Sequence, residues 1–144
     1  MMIKTIIVGI IALFVAFAVF RKIYKDYKNT FLDENNNFIE TDESKINKFL
    51  SNLSEVDFEN LDNAIQKLKS EIEKKPKYEK ADKLMEDWVK SLIIWKSKLK
   101  EIQEYYESKE YKKDNFSKGK KLNTEYLKNV EIQEKRAKNI AKFN

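Results

Sequence analysis

Carboxylates, amines and phenols carry nearly all the side-chain chemistry this sequence offers. It has 24 Asp and Glu, 29 Lys and Arg and seven Tyr, but neither His nor Cys. That excludes every nucleophile–base pair built on Cys or His, thiolate metal sites, disulfides and lipid attachment through cysteine. A carboxylate pair of the glycosidase type or an all-oxygen cation site stays open. Pairs such as Glu86-Asp87 fall on the polar faces of helical stretches. A general acid working near neutral pH needs its carboxyl in an apolar pocket or against a like charge. Asp33, Glu34 and Asp42 could ligate calcium, but the 12-residue spacing with its central Gly is missing, so they read as a solvated linker. The sequence therefore points to no catalytic residue, no cofactor and no metal site.

One cluster has the character of a contact surface. Tyr106, Tyr111, Lys112, Lys113, Asp114, Lys118 and Lys120 fall close together, with Lys109 and Lys121 beside them. Rings among amines suit an acidic protein or an anionic cell-wall polymer. The competing reading is a helix turn whose Tyr and Phe residues seal the end of a core. Specific nucleic-acid recognition is not expected, because only Arg21 and Arg136 among the basic residues are Arg and the net charge is +5.

The elements that position this cluster are helices. Gly occurs twice and Pro once in 144 residues, while Lys, Glu, Leu and Ile dominate. From about Lys77 to Lys113 the apolar positions Tyr78, Ala81, Met85, Trp88, Leu92, Trp95, Leu99, Ile102 and Tyr106 alternate by three and four. That spacing predicts a rod packed lengthwise on other helices, with Trp88, Leu92, Trp95, Leu99 and Ile102 in its core. Ser44–Leu53, capped by Thr41, Asp42 or Ser44, and the stripe Phe58, Leu61, Ile65, Leu68, Ile72 predict two shorter helices. Lys74-Lys75-Pro76 ends the second of these. After Asp114-Asn115, a last helix is expected from about Phe116 to Phe143, with Gly119, Leu122, Tyr126, Val130 and Gln133 facing inward.

The first twenty residues differ from all of these. Met1–Phe20 carries a single charge, Lys4, and eleven Ile, Leu, Val or Phe fall between positions 6 and 20. Such a run is about one hydrocarbon core long and favours insertion. An uncleaved anchor is expected, since Ala16-Phe17-Ala18 has the form of a signal-peptidase site but is followed by Val19 and Phe20. Tyr24 and Tyr27 would lie at interface depth. The expected organisation is an anchor over 1–28, a linker over 29–43 and a helical bundle over 44–144. The fold class is all-α, an N-terminal transmembrane helix followed by an elongated antiparallel bundle of three to four helices.

The quoted residues carry a resemblance. Tyr105-Tyr106, Tyr111-Lys112-x-Asp114, Phe116 and Gly119-Lys120, with Leu61-Asp62-x-Ala64 and Lys45–Asn52 upstream, resemble the YiiG-like family of bacterial envelope proteins, a family of unknown function. The resemblance implies an all-α domain on the outer side of the inner membrane and no catalytic residues. Many members are lipoproteins; without Cys, this chain would be held by its helix. Arg21, Lys22, Lys25 and Lys28 after the apolar run favour instead a cytoplasmic adaptor under the positive-inside rule. A phage-type inner-membrane spanin with a periplasmic coiled coil is the remaining alternative, which the two Trp and the wide apolar faces argue against. The expectation is a non-enzymatic, single-pass inner-membrane protein whose bundle meets an envelope protein or cell-wall partner. Oligomeric state is not legible.

Overall fold

The computed structural model describes residues 2–73 and 79–142; the side chains of residues 2–10 lie outside the described part. The described residues form six helices and no strand. They are α1 (Met2–Phe31), α2 (Glu43–Ser54), α3 (Phe58–Glu73), α4 (Glu79–Glu107), α5 (Glu110–Asp114) and α6 (Ser117–Lys142). The Pro76 stop and the start of the rod at Lys77 and Tyr78 lie outside the described residues.

Local chemistry sets the helix starts. Asp42 caps α2, its Oδ1 accepting from the Lys45 N–H at 2.9 Å, and Asp57 does the same for α3 through Asn60 N–H at 2.9 Å. The rod is shorter than its stripe suggests. α4 stops at Glu107, and Lys109 takes a left-handed backbone with φ 61°. The chain turns there so that the short α5 can fold back over the end of the core.

Four long helices alternate in direction. Phe20 meets Trp95 with ring centroids 5.3 Å apart, and Phe31 meets Tyr106 at 4.7 Å. The same sequence offset separates both pairs, so α1 and α4 run parallel in one register. α6 runs against both: Arg21 pairs with Glu134, Tyr27 packs on Tyr126, and Lys98 pairs with Glu125. α3 returns beside α1 and meets α4 through the Lys96–Asp62 ion pair. Trp88, Leu92, Trp95, Leu99 and Ile102 are all buried, none more than 1% exposed.

The amino-terminal part departs from the expected division. α1 runs through residue 28 without a break, and Phe20, Ile23, Tyr27 and Phe31 are buried in the bundle. Between Arg21, Lys22, Lys25 and Asp26 they form an amphipathic stripe of their own. Residues 20–31 thus belong to the core, because burying four large side chains stabilises the helix more than leaving it as a stalk. The 29–43 stretch, expected as a solvated linker, also carries ordered structure. Leu32 and Phe38 form an isolated antiparallel bridge, and Phe38 stacks on Phe31 with rings 2° from parallel. Asp33 Oδ1 accepts from the N–H groups of Asn35 and Asn37 at 2.8 and 2.9 Å, so it holds the turn. Among the residues whose side chains are described, from Ile11 on, no helix is long and apolar enough to cross a membrane.

Candidate functional site

The end of the bundle where α4, α5 and α6 meet holds the Tyr- and Lys-rich cluster. α4 delivers Tyr105 and Tyr106 in its last turn. The left-handed residues Lys109, Asn115 and Phe116 (φ 61°, 53° and 63°) then bracket α5 and fold it inward. This seats Tyr111 against Tyr106 at 5.5 Å and Phe116 against Tyr111 at 5.2 Å. Phe31 closes on Tyr106 from below and Phe38 on Phe116 from the side, at 4.7 and 6.2 Å. Tyr106 and Tyr111 are 3% and 4% exposed. Their rings present no surface to a partner and close the core instead, which corrects their expected place in a contact patch.

Asp114 organises the turn. The Tyr105 hydroxyl donates to its Oδ1 at 2.7 Å, and the Lys118 N–H donates to Oδ2 at 3.1 Å. Partial burial pushes the carboxyl up, but these hydrogen bonds outweigh it and hold it below the usual range. Burial raises the hydroxyls of both Tyr105 and Tyr106. Gly119 lies against the same rings: a Cβ there would stand 2.9 Å from Tyr106 Oη and 3.2 Å from Tyr105 Cε2. Two tyrosines, an aspartate and a glycine thus interlock, and the motif residues have a packing reason for their spacing.

The lysines around this knot are mostly committed to carboxylates far off in sequence. Glu43, at the start of α2, pairs with Lys112 at 2.8 Å and Lys109 at 3.2 Å. The hydrogen bond from Lys112, then that from Lys109, holds Glu43 below its usual range. Lys120 pairs with Glu40 and Lys118 with Glu110, each at 3.7 Å. Lys113 is exposed. Beside them a groove of about 670 Å³ runs between α4 and α6, floored by Tyr105 and Leu122 and rimmed by Lys98, Lys121, Glu104 and Glu125. Both acids and amines line it, so it carries no single sign of charge.

A second polar feature, of which only Gln133 was expected from the sequence, lies inside the α4–α6 seam. Asn129 Nδ2 donates to the Ser91 carbonyl at 3.2 Å, and Gln133 Nε2 donates to Asn129 Oδ1 at 2.8 Å. Arg136 reaches across the same seam to the Asp87 carbonyl. Asn129 and Gln133 lie four apart on the buried stripe of α6, which also holds Asn123, and that spacing is the signal the sequence offers. Among the described residues, no group of three or more acids is placed to hold a metal ion.

No curated protein and no solved structure matches the chain. A family model does, over residues 17–143, a match that begins within α1 and takes in every element described above. The chain therefore belongs to the family described as "Protein of unknown function (DUF3829)".

Proposed function

We propose that this protein is a non-enzymatic, membrane-attached helical bundle of the bacterial envelope. The single observation carrying that reading is the outer face of α1. Ile11 and Phe14 are 56% and 68% exposed on a helix whose outer face turns basic at Arg21, Lys22 and Lys25. An all-round apolar helix end followed by a basic collar suits a bilayer and its headgroups. The likeness to YiiG-like envelope proteins supports an extracytoplasmic bundle. The distal turn, with Lys113 and the mixed-charge groove, is the part left to meet an envelope protein or cell-wall polymer.

A binding role agrees with the state of the carboxylates. Glu43, Asp87 and Glu125 are displaced downward, each first by a hydrogen bond from a lysine: Lys112, Lys83 and Lys98. Such groups stay ionised near neutral pH, the reverse of what a general acid requires.

Reporter fusions after Asn144, with fractionation of the cells, test the reading. Active alkaline phosphatase and a chain retained on carbonate-washed membranes are expected. Active β-galactosidase would reverse the orientation, and full-length chain found only in the soluble fraction would overturn membrane attachment.

A further inference from the structure

We infer that residues 11–19 of α1 have two mutually exclusive seats, the proximal core of the bundle and the bilayer, so that entering the bilayer uncovers the Trp88 end. The inference rests on the membrane-attached reading above. In the bundle seat Ala12 and Ala16 are 2% and 0% exposed. The register fixed by Phe20–Trp95 and Phe31–Tyr106 brings Trp88 level with Ala12 and Ala16, so a large buried indole and two small buried residues share one layer.

The segments at that level cannot follow α1 into hydrocarbon. α4 carries the pairs Lys83–Asp87 and Lys90–Glu86 there, at 3.0 and 3.2 Å. Arg136 on α6 spans to the Asp87 carbonyl beside them. Charges at bilayer depth are strongly disfavoured unless they line a protein interior or a water-filled cavity. Residues 11–19 are therefore packed by charged helices or surrounded by lipid, but not both.

The sequence marks where the two seats part. Before Phe20 nearly every position is apolar or small; after it, apolar and aromatic residues thin out to Ile23, Tyr24, Tyr27 and Phe31. At about 1.5 Å per residue, α1 from Met2 to Val19 reaches roughly 27 Å, close to the thickness of a hydrocarbon core. Hold on the bundle changes at the same place. Below Phe17, among the described residues, only Ala12 and Ala16 are fully buried, with Leu13 and Val15 partly buried against the core, whereas Phe20 and the aromatic residues after it are buried above. Arg21 lies at the junction, 5.5 Å over the Phe17 ring and 3.6 Å from Glu134. Its headgroup-seeking side chain would sit at the water boundary once the helix has withdrawn.

Full-length protein at low concentration in vesicle-free buffer is compared with the same protein on phosphatidylethanolamine–phosphatidylglycerol vesicles. Flotation reports attachment and hydrogen exchange reports the seat. On vesicles, amides of residues 79–92 and 133–142 are expected to exchange about tenfold faster or more, while 99–130 stay unchanged. Floating protein with unchanged exchange over 79–92 would overturn the inference and leave attachment standing. Protein that does not float would overturn attachment, and this inference with it. Two variants should move in opposite directions. Phe14→Lys, at an exposed position, should keep the melting curve and reduce flotation about tenfold or more. Ala16→Leu should crowd the bundle seat and raise the vesicle-bound share; an unchanged share would count against that seat.

Discussion

The hydroxyl of Tyr27 on α1 donates a 2.6 Å hydrogen bond to Oδ1 of Asn123 on α6, across 96 positions of sequence and in a buried setting. The ring packs 4.3 Å from Tyr126 and 4.9 Å from Phe31, so this bond fastens α1 inside an aromatic layer. Tyr27→Phe leaves the Asn123 carbonyl oxygen buried without a donor and should cost about 1–2 kcal/mol. Urea denaturation measures it. Adding Asn123→Leu should recover part of the loss, because the orphaned acceptor is gone. If Tyr27→Phe leaves the midpoint unchanged, α1 does not fasten the bundle here.

Gly119→Ala should destabilise the protein by about 1–2 kcal/mol, although alanine is the better helix former. The added carbon meets the ring ends of Tyr106 and Tyr105, and both tyrosines are too enclosed to swing away. Tyr106→Phe removes the nearest atom, so the double variant should regain much of the loss. Thermal melts of the two single variants and the double variant check this coupling.

The Ser91–Asn129–Gln133 chain can be separated in the same way. Gln133 is fully buried, and its Oε1 has no protein partner among the described residues. Gln133→Met leaves Asn129 Oδ1 without its donor and should cost about 1–2 kcal/mol. The double variant Asn129→Leu/Gln133→Met removes both polar groups and should lie within about 1 kcal/mol of the parent. Chemical denaturation of the two proteins distinguishes a stabilising network from one that only fixes how α4 and α6 align.

Stability should be level between the usual carboxylate and tyrosine ranges, because the chain has no histidine to titrate there. On the acid side, Glu43, Asp87 and Glu125 have lowered values. Their contribution is present above the ordinary 4.5 of a glutamate and is lost as pH falls through the lowered values. On the alkaline side, burial raises the hydroxyls of Tyr27, Tyr105, Tyr106 and Tyr126. The unfolded chain ionises them from the ordinary 10.0, so stability should fall as pH rises beyond it. Tyrosinate absorbance followed together with helicity checks this: the late-titrating rings should ionise as the helices melt. Tyr27→Phe should shallow the alkaline limb.

The helices with clean periodicity were legible. The stripes of α2, α3, α4 and α6 alternate by three and four between charged residues, and Asp42, Asp57 and Asp114 stand where caps are needed. α1 was harder to read: the apolar run ahead of Phe20 hides the point at which its own stripe begins. The break after Glu107 has no composition signal, since Lys109 is an ordinary helix former forced left-handed by the packing of α5. At the distal turn the residue types were legible but their direction was not. Tyrosine suits a rim as well as a core, and only the fold seals Tyr106 and Tyr111 inside. Nor could local sequence pair Lys112 with Glu43 or Lys120 with Glu40, which come together through the topology.

Those last two pairs join the 40–43 segment to α5 and α6 across open water, whereas the rings beneath them are dry. Exposed pairs of this kind are weak and are damped by dissolved ions over about 8–10 Å at ordinary ionic strengths. The distal end is therefore latched twice, once by a clasp that brine can slacken and once by an oily seal that brine tightens. In concentrated sulfate the clasp should loosen without the cap lifting, so proteolytic nicking near Lys109–Lys113 would gauge the clasp alone.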